Sequence, residues 1–140
     1  MGDAAANWGE IVNGELGKPF VWGGRSDDAY DCWGLVLRVY RLLGWPNPGD
    51  WASPEDGAAV TACVARVMDR EFHGCDWVRV EHPRPGDVAA LSTHTKLHHV
   101  GVVTPFGVLH TNRRHGVVVA KEAVLKAIGY RTVEYYRWVG

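Results

Sequence analysis

Cysteine is scarce in this chain and widely scattered. Only Cys32, Cys63 and Cys75 occur among 140 residues. An odd number with no Cys-x-x-Cys pair argues against a disulfide framework and a zinc ribbon, and the simplest reading is reduced thiols. An excess of one charge is also lacking. Fifteen Lys and Arg against sixteen Asp and Glu leave a formal net charge of -1, which gives no reason to expect a nucleic-acid partner. No segment approaches the ~20 consecutive apolar residues of a membrane span, so no membrane association is expected. The opening residues MGDAAANWGEIVNGE are acidic and lack the apolar core of a signal peptide. Ala6 stands where a myristoylation signal has Ser or Thr. There is no internal repeat and no low-complexity linker.

What is present is globular. Hydrophobic residues make up 46% of the chain and charged residues 22%, the balance of a folded domain. Residues 1–140 read as one domain, large enough to bury roughly two thirds of its unfolded surface. The first half has helical periodicity. Residues 3–16 suggest a helix with Asp3 as cap and Ala4, Trp8, Ile11, Val12 and Leu16 as its apolar stripe. In residues 32–43, Cys32, Leu35, Val36, Val39, Leu42 and Leu43 follow the i, i+3, i+4, i+7 spacing. Asp31 stands at the N-cap, and Gly44 and Pro46 end that helix. Ser53-Pro54-Glu55-Asp56 resembles a further helix start, running to about residue 70 and burying Val60, Cys63, Val64 and Val67.

From residue 76 the pattern changes. DWVRVE alternates, and DVAAL, HHVGVVT, GVLHTN and GVVVA are short valine-rich runs broken by Gly, Pro or Asn. A short helix near 121–127 precedes a last strand, RTVEYYRWV. Helices followed by a mostly antiparallel sheet make an α+β fold, with N-terminal helices packed on the sheet.

Chemistry concentrates at three positions. Cys32 opens a helix, where unpaired N–H groups and the positive dipole end favour a thiolate. The alternative is that it only continues the apolar stripe. His99 opens the run HVGVV, and His110 sits in VLHT after the turn Pro105-Phe106-Gly107. Neighbouring antiparallel strands can set two such residues side by side on one face. His99 would then face Cys32 as its base, with His110 orienting the imidazole. A single strand histidine is more often a surface or satisfied core residue; the ordered set of all three favours catalysis.

The ordered motifs PFVWGG (19–24), DCWGLV (31–36), RPGDV (84–88), HVGVV (99–103) and VLHT (108–111) resemble those of the NlpC family of papain-like cell-wall cysteine peptidases, from about residue 17 to residue 120. DCWGLV, with Trp after the cysteine, is similar to the branch found in tail proteins of bacteriophages and phage-like particles. The resemblance implies a papain-like fold, with Cys32 as nucleophile, His99 as general base and His110 as the orienting third member. It implies a peptidoglycan stem peptide as substrate, cleaved at the γ-D-glutamyl–diamino acid bond, and tail hub or tip proteins as partners. Such a protein would be made in the producing cell's cytoplasm and delivered on a particle. The second expectation is a tail-tip or hub assembly protein that keeps the fold with little activity. A papain-like amidase or acyltransferase on another substrate is a third.

The chain departs from the family pattern twice. Phe20 stands where a tyrosine is common, twelve residues before Cys32, and offers no hydroxyl. Trp33 stands where Ser is frequent, and either narrows the cleft or packs. Phe20, Asp31 and Trp33 are therefore candidate substrate contacts. Asp27, Asp28 and Asp31 either bind a substrate amine or serve as turn and cap residues. His94, His98 and His99 in THTKLHH invite a zinc reading, but the context is a loop entering a strand in which residues 98 and 99 point to opposite faces. No metal and no cofactor is expected. His115 reads as a turn residue, and Arg113 and Arg114 as a solvated turn rather than an anion site. The seven tryptophans suit packing, substrate stacking or a protein contact.

Overall fold

The structure is a computed structural model that describes residues 7–50, 72, 76–93 and 99–140. Among the described residues, helix α1 spans Trp8–Glu15. The Asn7 side chain accepts the Glu10 N–H at 3.1 Å and so starts the helix at Trp8. Leu16 leaves helical geometry and is exposed rather than part of the stripe. The expected Asp3 cap and Ala4 lie outside the described residues, as do the expected helix to residue 70, Cys63 and Cys75.

Helix α2 (Cys32–Leu43) has the boundaries its sequence suggests. Asp31 caps it by accepting the Gly34 N–H at 2.9 Å. Gly44, at φ 73°, ends it in the left-handed conformation that glycine adopts without a Cβ penalty. Its buried face is broader than the stripe: Trp33 and Tyr40 join Cys32, Leu35, Val36 and Val39, whereas Leu42 is exposed.

Among the described residues six strands follow: β1 (Trp77–Val80), β2 (Val88–Ser92), β3 (His99–Thr104), β4 (Gly107–Asn112), β5 (Gly116–Ala120) and β6 (Thr132–Trp138), with α3 (Glu122–Ala127) before the last. They form one antiparallel sheet in the order β1-β6-β2-β3-β4-β5. The valine-rich runs do not alternate in polarity because both faces are covered. Val88, Ala90, Val100, Val102, Leu109 and Val117 pack with α2 in the main core. Ala89, Leu91, Val103 and Val108 point the other way, toward Leu125 of α3.

The segment before α2 folds tightly onto it. Val21 N–H donates to the Tyr30 carbonyl at 3.1 Å, and the buried Tyr30 hydroxyl donates to Glu15 at 2.8 Å. Glu15, buried on α1, also takes Arg38 of α2 at 3.1 Å and Lys18 at 2.9 Å. Gly34 lies against this segment so closely that an added Cβ would sit 2.5 Å from the Gly24 carbonyl oxygen and 2.7 Å from Tyr30 Cβ.

Gly34→Ala is therefore expected to lose about 1–3 kcal/mol despite alanine's better helix propensity, because the Gly24 carbonyl and the Cβ of the fully buried Tyr30 have little room to yield. Gly14→Ala on α1, with nothing within 4 Å of the new methyl, is expected to be neutral or to gain up to ~1 kcal/mol. Urea denaturation of the two variants checks this; equal midpoints would refute the close packing at Gly34.

Candidate active site

Cys32 is presented by a short, heavily bonded approach. Asp31, one residue before it, spends both carboxylate oxygens on structure. One accepts the Gly34 N–H and pairs with Arg25 at 2.7 Å; the other accepts the Gly23 N–H at 2.9 Å. Asp31 is 1% exposed, so the expected role in contacting substrate is corrected: it caps the helix and ties down the loop. Asp27 pairs with Arg38 at 3.0 Å and Arg41 at 2.9 Å. Ser26, in the same turn, accepts the N–H groups of Asp28 and Ala29. These acids are turn and cap residues, as one of the two sequence readings held.

The Cys32 sulfur accepts from the backbone N–H of Val100 and of Trp33, which places it beside the first residue of β3. These donors, and the Arg25 charge, favour a thiolate, but burial outweighs them. Desolvation first, and the Asp31 carboxylate second, push the thiol up to about 12. Cys32 therefore rests as a neutral thiol at pH 7.

The two histidines meet as the strand pattern suggests. In the β3–β4 ladder Gly101 pairs with His110, and His99, two residues earlier, shares that sheet face. His99 Nε2 lies 3.2 Å from His110 Nδ1. His110 is 1% exposed, and burial lowers it to about 4, so it is neutral at pH 7. Tyr130, which carried no signal in the sequence, completes the group. Its ring stacks on His99 (centroids 5.7 Å apart, planes 9° apart) and meets His110 edge-on at 6.3 Å. It follows Gly129, which takes a φ of 116° and lets the chain turn from α3 toward β6. No sequence motif surrounds it, because only the tertiary packing brings it to His99.

A cavity of about 500 Å³ opens over Cys32 and His99. Phe20, Trp22 and Tyr130 form aromatic wall, and Thr93, Thr111 and Asn112 polar wall. Trp22 Nε1 and Thr111 Oγ1 are buried there without a hydrogen-bond partner. Phe20 thus faces the cavity, edge-on to Trp22 at 4.7 Å. Trp33 does not, which corrects its expected role as a substrate contact. It is 2% exposed, donates from Nε1 to the Gly49 carbonyl at 2.8 Å, and packs against Phe72 and Trp77. Arg113, Arg114 and His115 are not merely a solvated turn; they line the cavity rim. Of the tryptophans, only Trp22 lines the cavity among the described residues, and Trp8, Trp33 and Trp77 belong to the core. His94 and His98 lie outside the described residues, and no group of three metal-ligating side chains occurs among the described ones.

This architecture, with a cysteine at a helix start and paired histidines on adjacent antiparallel strands, is that of a papain-like α+β domain. The NlpC/P60 family model matches residues 17–135, and the chain belongs to the NlpC/P60 family. A probable endopeptidase of Mycobacterium tuberculosis is 27% identical over 105 residues, which cover 75% of this chain and 22% of that protein. Among solved structures, the NlpC2 protein of Trichomonas vaginalis superimposes with a TM-score of 0.61 at 23% identity, over 96% of this chain and 48% of that one. The NlpC/P60 domain of the peptidoglycan hydrolase SagA superimposes with a TM-score of 0.56 at 20% identity, over 92% of this chain and 97% of that one. The chain thus spans less than a quarter of the curated relative and is coextensive with the isolated SagA domain.

Two titrations test the site. Between about pH 6.5 and pH 4 the unfolded chain binds a proton at residue 110 that the folded chain refuses. Stability contributed by neutral His110, on the order of 3 kcal/mol at most, is complete above that window and is lost as the pH falls through it. Denaturation at pH 7 and pH 5 should show a smaller acid loss for His110→Gln than for the wild type; equal losses would refute a buried neutral His110. Alkylation of Cys32 by iodoacetamide, followed by peptide mass, should be slow at pH 7 and still rising at pH 9. A rate already level by pH 7 would reveal a resting thiolate instead.

Proposed function

We propose that this domain is a cysteine endopeptidase that cleaves peptidoglycan stem peptides at the γ-D-glutamyl–diamino acid bond. The observation that carries the reading is the buried contact of His110 with His99, which lines the same cavity as Cys32. Membership of the NlpC/P60 family supports it, as do an endopeptidase and a peptidoglycan hydrolase among the proteins it resembles.

The roles follow from which atoms are already engaged. With His99 Nε2 directed at His110 Nδ1, the remaining nitrogen, Nδ1, is the one available to Cys32. Neutral His110 accepts the His99 Nε2–H and so holds Nδ1 as a base. Because the thiol rests protonated, His99 takes the Cys32 proton as the sulfur attacks the scissile carbonyl, rather than beforehand. The oxyanion forms at the start of α2, where the N–H of Cys32 has no acceptor within the helix. Collapse expels the amine of the diamino acid, which takes the proton from His99. Water, deprotonated by His99, then cleaves the acyl–sulfur bond and restores the thiol.

We further propose that the domain works on the tail of a phage or phage-like particle, beside hub or tip proteins. The support is the DCWGLV motif, whose tryptophan is similar to the tail-protein branch. A second reading, a tail assembly protein with the fold and little activity, is favoured by the protonated Cys32 and by Phe20 in place of a tyrosine hydroxyl.

Digestion of purified peptidoglycan, with products identified by mass, decides between the readings. Wild-type protein is expected to release stem fragments cut after the γ-glutamyl residue. Cys32→Ala should release none, and His110→Ala should lower the rate roughly 10²–10⁴-fold, the usual scale for losing a proton-transfer group or its orientation. Absence of fragments with wild-type protein would favour the assembly reading.

A further inference from the structure

The rim of the Cys32 cavity carries a charge that the peptidase reading leaves unused. Its lining among the described residues contains Arg113, Arg114 and His115 and no carboxylate, in a chain whose acids slightly outnumber its Lys and Arg. Of the acids near Cys32 in sequence, Asp31 is committed to Arg25 and two backbone N–H groups and Asp27 to Arg38 and Arg41, and Asp28 does not line the cavity. No acidic side chain pairs with Arg113 or Arg114 among the described residues. A concave wall of one sign concentrates its field on whatever enters.

The turn that presents these arginines is braced at both ends. Asn112 Oδ1 accepts the N–H groups of Arg114 at 3.0 Å and His115 at 2.7 Å. Beyond the turn, Gly116 (φ 68°) is seated on the Lys18 carbonyl, whose oxygen would lie 2.3 Å from an added Cβ. Val117 N–H donates to that carbonyl at 3.0 Å, and Gly17 N–H donates to the Val117 carbonyl at 2.9 Å. The Arg113 guanidinium lies 5.9 Å from the centroid of the Trp22 ring. A guanidinium held over an aromatic face by cation–π attraction keeps its N–H groups available for a planar anion.

We infer that Arg113 and Arg114 recognise a substrate carboxylate beside the scissile bond, and that the domain prefers stem peptides whose carboxylates are free over those in which they are amidated. This rests on the peptidase reading for the nature of the ligand. A γ-linked glutamyl residue is joined through its side chain and leaves its α-carboxylate free, on the Cα that Cβ and Cγ separate from the acyl carbon. A diamino dicarboxylic acid on the leaving side brings a carboxylate of its own. Both are planar anions that the guanidinium fork matches with two parallel hydrogen bonds.

Three synthetic stem tetrapeptides distinguish the two sources: one with all carboxylates free, one amidated at the glutamyl α-carboxyl, and one amidated at the side-chain carboxyl of the diamino acid. Calorimetric binding to Cys32→Ala protein needs no turnover, so it tests this inference independently of the peptidase reading. Amidation at the recognised carboxylate is expected to weaken binding roughly ten- to a hundredfold, the range of a lost charge-assisted hydrogen bond. Adding Arg113→Gln or Arg114→Gln to Cys32→Ala should weaken the free peptide similarly and erase its advantage over the matching amide. Arg113→Lys should restore only part. Both residues lie in an exposed turn, and unchanged melting temperatures would show that the variants fold. Equal binding of all three peptides, discrimination that survives both glutamine substitutions, or no binding of any peptide at millimolar concentration would each overturn the inference. Selective binding without cleavage by wild-type protein would uphold the inference and refute only the peptidase reading.

Discussion

The buried carboxylate of Asp31 is the constraint on which the site depends. With one side chain it starts α2, holds the Gly23 backbone and neutralises Arg25. A carboxylate at 1% exposure is tolerated only when its oxygens are filled by donors. Here the donors belong to the loop and the helix that must meet at Cys32. The position of Cys32 is thus a by-product of satisfying one buried charge. The close seat of Gly34 on Gly24 and Tyr30 reinforces it, because no side chain intervenes between loop and helix.

Burial sets the chemistry as well as the position. The environment that fixes Cys32 also raises its pKa, and the one that fixes His110 lowers its own. Both groups are held neutral for the same reason, the cost of a charge in a dry interior. In the proposed reaction a neutral His110 would accept the His99 N–H without repelling an imidazolium formed there. A neutral Cys32 would tie deprotonation to attack, so that reactivity would wait for a substrate. The Tyr130 ring, parallel to His99, closes the remaining side of the imidazole.

Much of this was legible because local rules decide it. Asp31 as cap, Gly44 as stop and the stripe between them define α2 without reference to the rest of the chain. The valine runs and the Gly, Pro and Asn breaks between them mark the strands, and strand periodicity leaves His99 and His110 free to share a face once β3 and β4 pair. Where the structure departs from the expectations from sequence there is one physical cause: the roles of Trp33, Asp31 and the 113–115 turn are decided by what packs across from them. Trp33 is enclosed by Phe72 and Trp77 and ends at the Gly49 carbonyl. The arginine turn is brought to the cavity by the seat of Gly116 on Lys18. Tyr130 was missed altogether, since the α3–β6 connection has no periodicity that points to His99.

The sequence by itself determined the α+β division, the order of the elements and the placing of Cys32 at a helix start and of His99 and His110 on strands. Those follow from capping, breaking and the periods of 3.6 and 2, which are properties of short segments. Only the tertiary structure decided which polar groups face the cavity and which are consumed in holding it together. It also decided the protonation states of Cys32 and His110. Desolvation and pairing depend on every atom that packs around a group, and those atoms come from residues far apart along the chain.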